Sequence, residues 1–539
     1  MDNSNNVHYE HIPQEKFAFC QLDVSLHDKK LETKSRGYFA DAMLRFKKNK
    51  SSVIAAWIIL FLVIFSILSP IISVNDVRFM DDTYKSHPPF IKAIADLNIG
   101  LFDGAYTHDS QSENQKLVWE AIGVETGLNP VNRVVGTTVQ QEMYRGKLRD
   151  VTYYTLENNK YYEKGVTTRV ISYDEFKKIQ EFQNETGIQV LYPYVEWKDI
   201  LANIDAPESE KNLYKKDSNV WYYVKNTKGV PDLDADGNFK PAYSTNQANA
   251  GPIEYNSLRI EGDPYDEATG EGGYIYSRDR SGSLEVRICY FNYYQYVNER
   301  EPMYIFGTNS LGQDLFTAIG VGARFSLIFA VIVSAINLTI GAIYGAIQGY
   351  YGGMVDMVLD RFADILSGVP FIVVTTLFQM HLTPKLMKLG SLGMVVAFLF
   401  AFVLTGWIGM AALTRKQFYR FKSQEFVLAA RTLGASDWRL MFKHIFPNSL
   451  GTIVTSCALV IPGVISSEVS MTYLGIINLQ EAFGTSIGTL ASQGQTAMTS
   501  APHAMLFPAI FLSLLLISFN LFGNGLRDAF NPATRGVDG

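Results

Sequence analysis

The chain has 539 residues, of which 47% are hydrophobic, and its formal net charge is −6. The mean hydropathy is near zero because long apolar runs alternate with a polar stretch that is rich in tyrosine, aspartate and asparagine. The apolar runs exclude a wholly soluble protein, and the acidic balance argues against nucleic acid as a partner.

Six apolar runs are long enough to be membrane-spanning helices. At about 1.5 Å of rise per residue, each covers roughly the 30 Å hydrocarbon core of a bilayer. The third is the weakest because Gly368 and Pro370 interrupt it. The first follows a long polar segment and lacks a small-residue cleavage pattern, so a permanent anchor is expected. The runs are 53–73, 325–346, 365–382, 392–413, 450–474 and 504–526.

Basic residues indicate the orientation of these runs. They cluster before the first run and between the fourth and fifth, and the positive-inside rule makes both segments cytoplasmic. Six crossings then place both chain termini in the cytoplasm and segment 75–304 outside the cell. Lys385 and Lys388 oppose this scheme but are outnumbered by Arg36, Arg45, Lys47, Lys48, Lys50, Arg415, Lys416, Arg420, Lys422, Arg431, Arg439 and Lys443.

The predicted fold is an all-α multi-spanning membrane domain with six transmembrane helices, plus an inserted α+β extracellular domain. Because Cys289 is the only cysteine in that domain, no internal disulfide is expected there. The expected parts are a cytoplasmic tail (1–52), transmembrane helix 1 (53–73), the inserted domain (75–304), a membrane core with helices 2–6 (305–532), a cytoplasmic loop within it (422–447) and a cytoplasmic tail (527–539).

Local patterns in the inserted domain predict both strands and a helix. Ser172 and Glu175 form a capping box for a helix that ends near Gly187. A hairpin is predicted across Asn158 and Asn159, and a further strand is predicted from alternating residues. The hairpin strands are 151–156 and 161–170, and the alternating strand is 284–290.

A run of three aspartates has the spacing of the first half of an EF-hand calcium loop. Asp232, Asp234 and Asp236 suit a hard cation, but the twelfth position holds Tyr243 instead of a bidentate glutamate. An Asp-Gly turn is therefore the favoured interpretation, and a calcium loop is the alternative. No hydrolase or paired-histidine signature occurs in the domain, so we expect a docking or spacer role without catalytic, cofactor-binding or metal-ligating residues. The strands beside the turn are expected at 221–225 and 239–243.

Segment 422–447 has the pattern of two amphipathic helices joined at a glycine. Gly434 suits the position after the first helix, and Ser436 is expected to cap a second helix that stops at Pro447. An interfacial helix on anionic lipid is one interpretation, but the flat patch of Ala429 and Ala430 favours docking of a protein. The expected apolar faces are Phe426, Val427, Ala430 and Leu433 in the first helix, and Trp438, Met441, Phe442 and Ile445 in the second.

This segment resembles the EAA loop of ABC-importer permeases, whose coupling helices sit in a groove of the ATPase subunit. Leu428 stands where the family has a glutamate, and the nearby Glu425 is the candidate for supplying that charge. The coupling residues that the resemblance implies are Glu425, Ala429, Ala430, Arg431, Gly434, Ala435, Ser436, Ile445 and Pro447.

Other segments narrow the resemblance. Run 306–314 is similar to the entry of the second helix in peptide-importer permeases, with Asn309 and Gln313 departing from the pattern. Ser310 and Gln313 also form a local capping box. Together with 349–353, 506–509 and 525–532, these motifs resemble OppC-type permeases of bacterial oligopeptide and dipeptide importers over 36–72 and 305–532.

The resemblance implies a type I importer permease in a bacterial cell membrane that is not itself an enzyme. A phosphate-loop motif is absent from the sequence, so no cofactor is expected in this chain. The implied partners are a homologous second permease, two cytoplasmic ABC ATPase subunits that bind ATP and Mg²⁺, an extracellular peptide-binding lipoprotein, the peptide and membrane lipid. A membrane receptor with a ligand-sensing ectodomain is the alternative function.

Glu468 is the candidate residue of the translocation path, because carboxylates at membrane depth are usually functional or paired. Its position resembles the glutamate that supports the outer gate in the family, and a carboxylate facing lipid headgroups is the alternative. Asn337 and Asn520 are expected to form hydrogen bonds between helices. Local ion pairing is expected to account for Asp356, Asp360, Arg361 and Asp364 near the cytoplasmic surface.

Overall fold

The computed structural model describes residues 38–97, 100–192, 214–216, 221–223, 277–279, 282–478 and 485–530. The chain opens with α1 (Tyr38–Lys48) and α2 (Lys50–Ile72). Asn49 caps α2 by accepting a hydrogen bond from the Ser52 amide (3.4 Å). The first predicted span is therefore confirmed as a helix. The three aspartates of the possible calcium loop, Asp232, Asp234 and Asp236, lie outside the described residues.

The inserted domain contains both helices and sheets, as predicted. Strands β2, β4 and β3 form one antiparallel sheet in that order, and β10 pairs with β5, β6 and β9 in another. The elements are β1 (Phe90–Ile91), α3 (Lys92–Ala95), β2 (Ala105–Ser112), α4 (Glu113–Thr126), β3 (Val131–Tyr144), β4 (Lys147–Asn159), β5 (Val166–Ile171), α5 (Tyr173–Thr186), β6 (Leu191–Tyr192), β7 (Tyr214–Lys216), β8 (Trp221–Tyr223), β9 (Ser277–Asp279), β10 (Leu284–Cys289), α6 (Tyr290–Asn298) and β11 (Met303–Tyr304).

The predicted hairpin across Asn158 and Asn159 is wrong. β4 pairs with β3 through a two-residue turn, and β5 pairs with β10 instead. Arg145 and Gly146 form that turn with φ of 49° and 78°, the left-handed values that a type I′ hairpin requires. Of the two strands predicted beside the Asp-Gly turn, the one at 221–225 is confirmed by β8, which pairs with β7. The other, at 239–243, lies outside the described residues.

The predicted helix after Ser172 is confirmed. The Ser172 hydroxyl accepts from the Glu175 amide (3.1 Å), and Gly187 ends α5 with a left-handed φ of 71°. Glu175 does not complete the capping box in the usual way, because its carboxylate accepts from the Tyr293 hydroxyl (2.8 Å). The cap therefore also ties α5 to α6.

β10 is buried on both faces, although its sequence alternates between apolar and polar residues. Leu284, Val286 and Ile288 pack against α5, and Glu285 and Arg287 are buried on the opposite face. All six residues of β10 are therefore buried, so the alternating pattern does not mark a solvent-facing side. Cys289 at its end is buried.

The membrane domain follows as a bundle of long helices. Within the described residues, five helices are long and apolar enough to cross a membrane. The elements are α7 (Leu315–Tyr351), α8 (Gly353–Ser367), α9 (Phe371–His381), α10 (Thr383–Leu386), α11 (Ser391–Gly406), α12 (Ile408–Phe421), α13 (Glu425–Thr432), α14 (Asp437–Arg439), a π-helical segment (Leu440–Ile445), α15 (Phe446–Tyr473), α16 (Ile487–Thr496) and α17 (His503–Phe530).

The third predicted span is not one helix. Pro370 has an extended backbone (ψ 130°) and separates α8 from α9. Proline lacks the amide that would continue the helical ladder, and it disfavours a helical conformation in the residue before it. With 11 residues, α9 is only about 16 Å long, roughly half of the hydrocarbon thickness.

The helix predicted to stop at Pro447 continues instead. α14, the π-helical segment and α15 form a single apolar helix from Asp437 to Tyr473. The Phe446 amide donates to the Met441 carbonyl, which is the spacing of a π-turn. Pro447 follows directly after this π-turn, at the second residue of α15.

Three glycines let α7 and α12 approach closely. Gly341, Gly345 and Gly349 recur every fourth residue, so they lie on one face of α7. A Cβ at any of these glycines would overlap atoms at the start of α12 or within it. The atoms belong to Trp407, Met410, Ala411, Arg415 or Phe418. Close backbone packing of this kind is typical of helices that associate in a membrane.

Candidate functional site

α7 connects two structured regions at opposite ends of the bundle. It has 37 residues, or about 55 Å of helix, which exceeds the hydrocarbon thickness of about 30 Å. Asp314 at its start bonds to Ser73 at the end of α2 (2.9 Å), whereas Tyr350 near its end bonds to Asp437 (2.5 Å). The two regions therefore lie on opposite sides of the membrane-length part.

We name the region at the end of α7 the coupling element, residues 425–445, which comprises α13, the turn at Gly434, α14 and the π-helical segment. Gly434 has a φ of 82°, and its amide donates to the Arg431 carbonyl (3.0 Å). The Ala435 amide donates to the Ala430 carbonyl (3.1 Å). These two bonds define a Schellman ending, so the predicted glycine hinge is confirmed.

The inner face of the coupling element is apolar and packed. Val427, Leu440 and Ile445 are fully buried against Ala346 and Phe418. They attach the element to the ends of α7 and α12. Met441 and Phe442 belong to the same cluster, as the predicted face of the second helix requires.

The outer face of the coupling element is also apolar, and this was not expected. Leu433 is 87% exposed and Leu428, at the family's glutamate position, is 45% exposed. Phe426 and Trp438 are exposed too, so each predicted apolar face is divided between the packed cluster and the surface. Helical spacing identified the apolar residues but not which of them the chain itself covers.

A polar contact fixes the coupling element to α7. The Tyr350 hydroxyl donates to Asp437 Oδ1 (2.5 Å) and accepts from Arg431 Nη2 (3.4 Å). Arg431 also lies over the Tyr350 ring, 5.8 Å from its centroid. Both halves of the element are thus joined to one side chain of α7, a role for Tyr350 and Asp437 that the sequence did not suggest.

The remaining predicted coupling residues lie on the surface of this element. Glu425, Ala429 and Pro447 are exposed, and Ala430 and Ala435 are half-buried. Ser436 occupies the N-cap position of α14, but its side chain makes no capping hydrogen bond. The structure thus gathers the predicted residues around one short helical turn at the end of the bundle.

Charged residues beside the coupling element form ion pairs. Local pairing was predicted, but most of these pairs join two different helices. Arg415 of α12 contacts Asp356 (2.5 Å) and Asp360 (2.7 Å) of α8. The predicted local pair of Arg361 with Asp364 is also present (2.9 Å). These contacts hold α8 against α12.

Glu468 is fully buried inside the subunit. Its Oε2 accepts from the Ser326 hydroxyl of α7 (2.6 Å), and its Oε1 has no hydrogen-bond partner among the described residues. The alternative of a carboxylate facing headgroups is wrong, because 0% of the residue is exposed. Glu468 instead joins α15 to α7.

A cavity at membrane depth lies between α7, α9, α11 and α15. It has a volume of about 310 Å³, and Asn337, Thr405 and Ser467 supply its polar groups. Asn337 Oδ1 is buried without a hydrogen-bond partner in the described residues. Asn520, the other asparagine expected to bond between helices, is exposed on α17. The sequence offered no signal for Thr405 or Ser467 because such residues are common in membrane helices.

The opposite end of α7 is joined to the inserted domain by residues 306–314 and 73–90, which we name the neck. Asp314 caps α7 by accepting from the Phe316 amide (3.1 Å) and also accepts from Thr317 (2.8 Å). The predicted capping box of Ser310 and Gln313 is therefore wrong. Gln313 instead donates to the Val77 carbonyl (2.9 Å).

The two residues that depart from the family pattern take part in the packing of the neck. Asn309 Nδ2 donates to Gln313 Oε1 (2.9 Å) and to Gln493 Oε1 of α16 (3.1 Å). The Asp81 amide donates to the Gly312 carbonyl (3.2 Å), and a Cβ at Gly312 would overlap the Asp81 backbone. The neck is thus a dense junction between α2, α7 and the inserted domain.

A bundle of membrane-length helices that carries an apolar helix–glycine–helix element at one end defines a transporter permease. Residues 338–536 match the family described as "Binding-protein-dependent transport system inner membrane component". Residues 37–89 match the family described as "N-terminal TM domain of oligopeptide transport permease C". The chain belongs to this family of binding-protein-dependent permeases. Residues 90–337, including most of the inserted domain, lie outside both matches.

Curated relatives agree with this assignment. The oligopeptide transport system permease protein OppC of Bacillus subtilis is 40% identical over 230 residues, which cover 43% of this chain and 72% of the relative. The dipeptide transport system permease protein DppC of the same organism is 37% identical over 231 residues, covering 43% and 69%. A chain of the MetNI methionine ABC transporter is 13% identical with a TM-score of 0.31, covering 40% of this chain and 96% of that one.

Proposed function

We propose that this chain is the permease subunit of an ATP-driven peptide importer and forms the translocation path with a homologous second permease. The observation that carries the proposal is the exposed apolar face of the coupling element. It lies at the end of α7 opposite to the inserted domain, in a chain 40% identical to an oligopeptide permease.

The proposed orientation puts the coupling element in the cytoplasm and residues 75–304 outside the cell. Basic residues accompany the coupling element: Arg420 and Lys422 precede it, and Lys443 lies within it. Such residues are retained on the cytoplasmic side during membrane insertion. Both chain termini are then cytoplasmic as well, because α2 begins beside the end of α17: the Ser52 hydroxyl donates to the Leu521 carbonyl (3.2 Å).

The partner at the exposed face is proposed to be one of two ABC ATPase subunits, which bind ATP and Mg²⁺. Leu433 and Trp438 are large and exposed, and they come just before and just after the Gly434 turn in sequence, so a groove in a partner would bury both. Leu428 suits an apolar part of that groove, and the outward Glu425 provides a charge at its rim. Arg431 and Tyr350 would transmit movement of the ATPase to α7 as a rigid body.

Peptide selection is assigned to a separate extracellular peptide-binding lipoprotein. Within the permease, the cavity bounded by Asn337, Thr405 and Ser467 offers donors and acceptors that a peptide backbone requires. Glu468 supports this region from within the subunit by joining α15 to α7. Its role is then to hold the path rather than to line it.

Reconstitution of the complete complex in proteoliposomes tests the proposal. We expect uptake of a labelled oligopeptide that requires ATP, the ATPase subunits and the binding lipoprotein. Ala429→Glu, which places a charge on the exposed surface of α13, should abolish uptake while the chain remains inserted, and Gln140→Glu in the inserted domain should have no effect. Uptake without the ATPase subunits, or normal uptake by Ala429→Glu, would disprove the proposed coupling.

A further inference from the structure

The two-stranded ribbon of β1 and β11 is apolar on both faces, but the described chain covers only one of them. Phe90 pairs with Tyr304, and both are fully buried in the aromatic core of the inserted domain. Ile91 pairs with Met303, and these two residues face away from that core into an open cavity of about 340 Å³. The outer face of the ribbon therefore lacks a covering layer within the described residues.

This outer face lies directly beside the end of a membrane helix. Arg300, which precedes β11, donates to the Val74 carbonyl (2.5 Å) and to Asn75 Oδ1 (2.8 Å), just after α2 ends. The starts of α7 and α17 lie at the same level, because Asp314 bonds to Ser73 (2.9 Å) and His503 contacts the Thr308 carbonyl (3.1 Å). Three helix ends thus mark the position of the membrane surface at the neck.

The apolar surface of α2 continues across this boundary. Ile72 is 64% exposed, Val74 is 54% exposed and Met303 is 38% exposed. Val74 and Met303 line the same open cavity as Ile91. The exposed apolar surface at the end of α2 therefore continues onto the ribbon of the inserted domain.

Basic groups border this apolar face. Lys92 lines the cavity and pairs with Glu301 (2.6 Å), and its side chain is 30% exposed. Arg300 lines it as well, and its hydrogen bonds in the neck go to uncharged oxygens. An apolar surface with a basic border at the headgroup level has the chemistry of a membrane-surface contact.

We propose that this face of the inserted domain, formed by Val74, Ile91, Lys92, Arg300 and Met303, rests on the outer leaflet of the bilayer. The apolar side chains enter the boundary between headgroups and acyl chains, and Lys92 and Arg300 bind the phosphate of an anionic phospholipid. The contact fixes the tilt of the inserted domain above the transport path. It goes beyond the proposed import function and requires only that α2 spans the membrane.

Quenching by spin-labelled lipids tests the contact in the full-length chain. A fluorophore is attached at Met303→Cys in lipid nanodiscs, in a Cys20→Ser, Cys457→Ser background, and Val139→Cys on the exposed β3–β4 hairpin is the matched control. We expect phospholipids with a nitroxide near the headgroup to quench the probe at position 303 several-fold more than the probe at 139. Equal quenching at the two positions would overturn the proposal.

The charge preference tests the phosphate site separately. The ratio of quenching by nitroxide-labelled phosphatidylglycerol to quenching by nitroxide-labelled phosphatidylcholine measures the preference for an anionic lipid. This ratio should fall about fivefold in Lys92→Gln, because one basic group near a membrane surface contributes about 1 kcal/mol. Lys92→Arg should retain the preference, and Lys147→Gln on the hairpin should not change it. An unchanged preference in Lys92→Gln, or shielding of the probe by added binding lipoprotein instead of lipid, would refute the assignment.

Discussion

Tyr350→Phe removes one hydroxyl from the contact between α7 and the coupling element and leaves the packing intact. The ring is buried next to Ala346 and Phe418, so the phenylalanine should occupy the same space. The substitution deletes the bond to Asp437 (2.5 Å) and the longer contact from Arg431 (3.4 Å). It therefore tests the proposed route of force into α7.

The expected magnitude follows from the environment of the bond. A hydrogen bond to a carboxylate contributes about 1.5–3 kcal/mol when it is shielded from water. Asp437 is exposed, so water competes for it and about 1 kcal/mol is the appropriate value. The ratio of attached to detached coupling element should then fall about fivefold.

The assay compares peptide uptake with phosphate release in the same proteoliposomes. Tyr350→Phe should lower the number of peptides imported per ATP while ATP hydrolysis is retained. Tyr351→Phe is the matched control, because its ring touches Tyr350 (5.2 Å between centroids) and is half exposed. Asp437→Asn should lower the same ratio, and the double variant should do little more than either single variant. An unchanged ratio, or losses that simply add, would refute the reasoning.

Other substitutions test the neck and the buried polar groups. Gly312→Ala should destabilise the protein by at least about 3 kcal/mol in thermal unfolding, because the new methyl group would overlap Asp81 at a residue with a positive φ. Gly187→Ala is the control: its φ is similar but the space around it is open, so it should cost only about 1 kcal/mol. Equal costs would contradict the dense packing of the neck. Ser326→Ala should lower stability by about 1–3 kcal/mol by removing the partner of buried Glu468, with Ser334→Ala as a nearly neutral control. Burial first, and then the charge of Lys160, lower the pKa of His87 to about 3. Between about pH 6.5 and about pH 3, His87 is protonated in the unfolded state but not in the folded state. The free energy of unfolding should therefore decrease as the pH falls through this range. His87→Gln should weaken this pH dependence in unfolding scans, and a dependence unchanged by that variant would contradict the assignment.

The sequence predicted elements well where a local pattern determines them. The cap at Ser172, the hinge at Gly434 and the first span depend on neighbouring residues only, and all three are confirmed. Helix limits were less accurate, since α7 begins ten residues before the predicted span, in first turns that are buried against α2. Hydropathy alone does not report such burial.

Features that depend on distant contacts were not predictable in this way. β5 lies next to β4 in sequence, but its partner β10 is more than a hundred residues away. The helical pattern of the coupling element marked Leu433 and Val427 alike, yet one is exposed and the other buried. Tyr350 and Asp437 meet only because the loop folds back onto α7.

The glycine face of α7 lies close to the coupling-element end of that helix. Gly345 is the middle residue of the close contact with α12, about 45 Å from the start of α7 and about 9 Å from its end. Rocking of α7 as a rigid body about this contact would convert a shift of about 1 Å at Tyr350 into about 6 Å at Asp314, by the ratio of the two arms. Spin labels at both ends would measure that ratio. The short arm ends at the coupling element and the long arm ends at the neck.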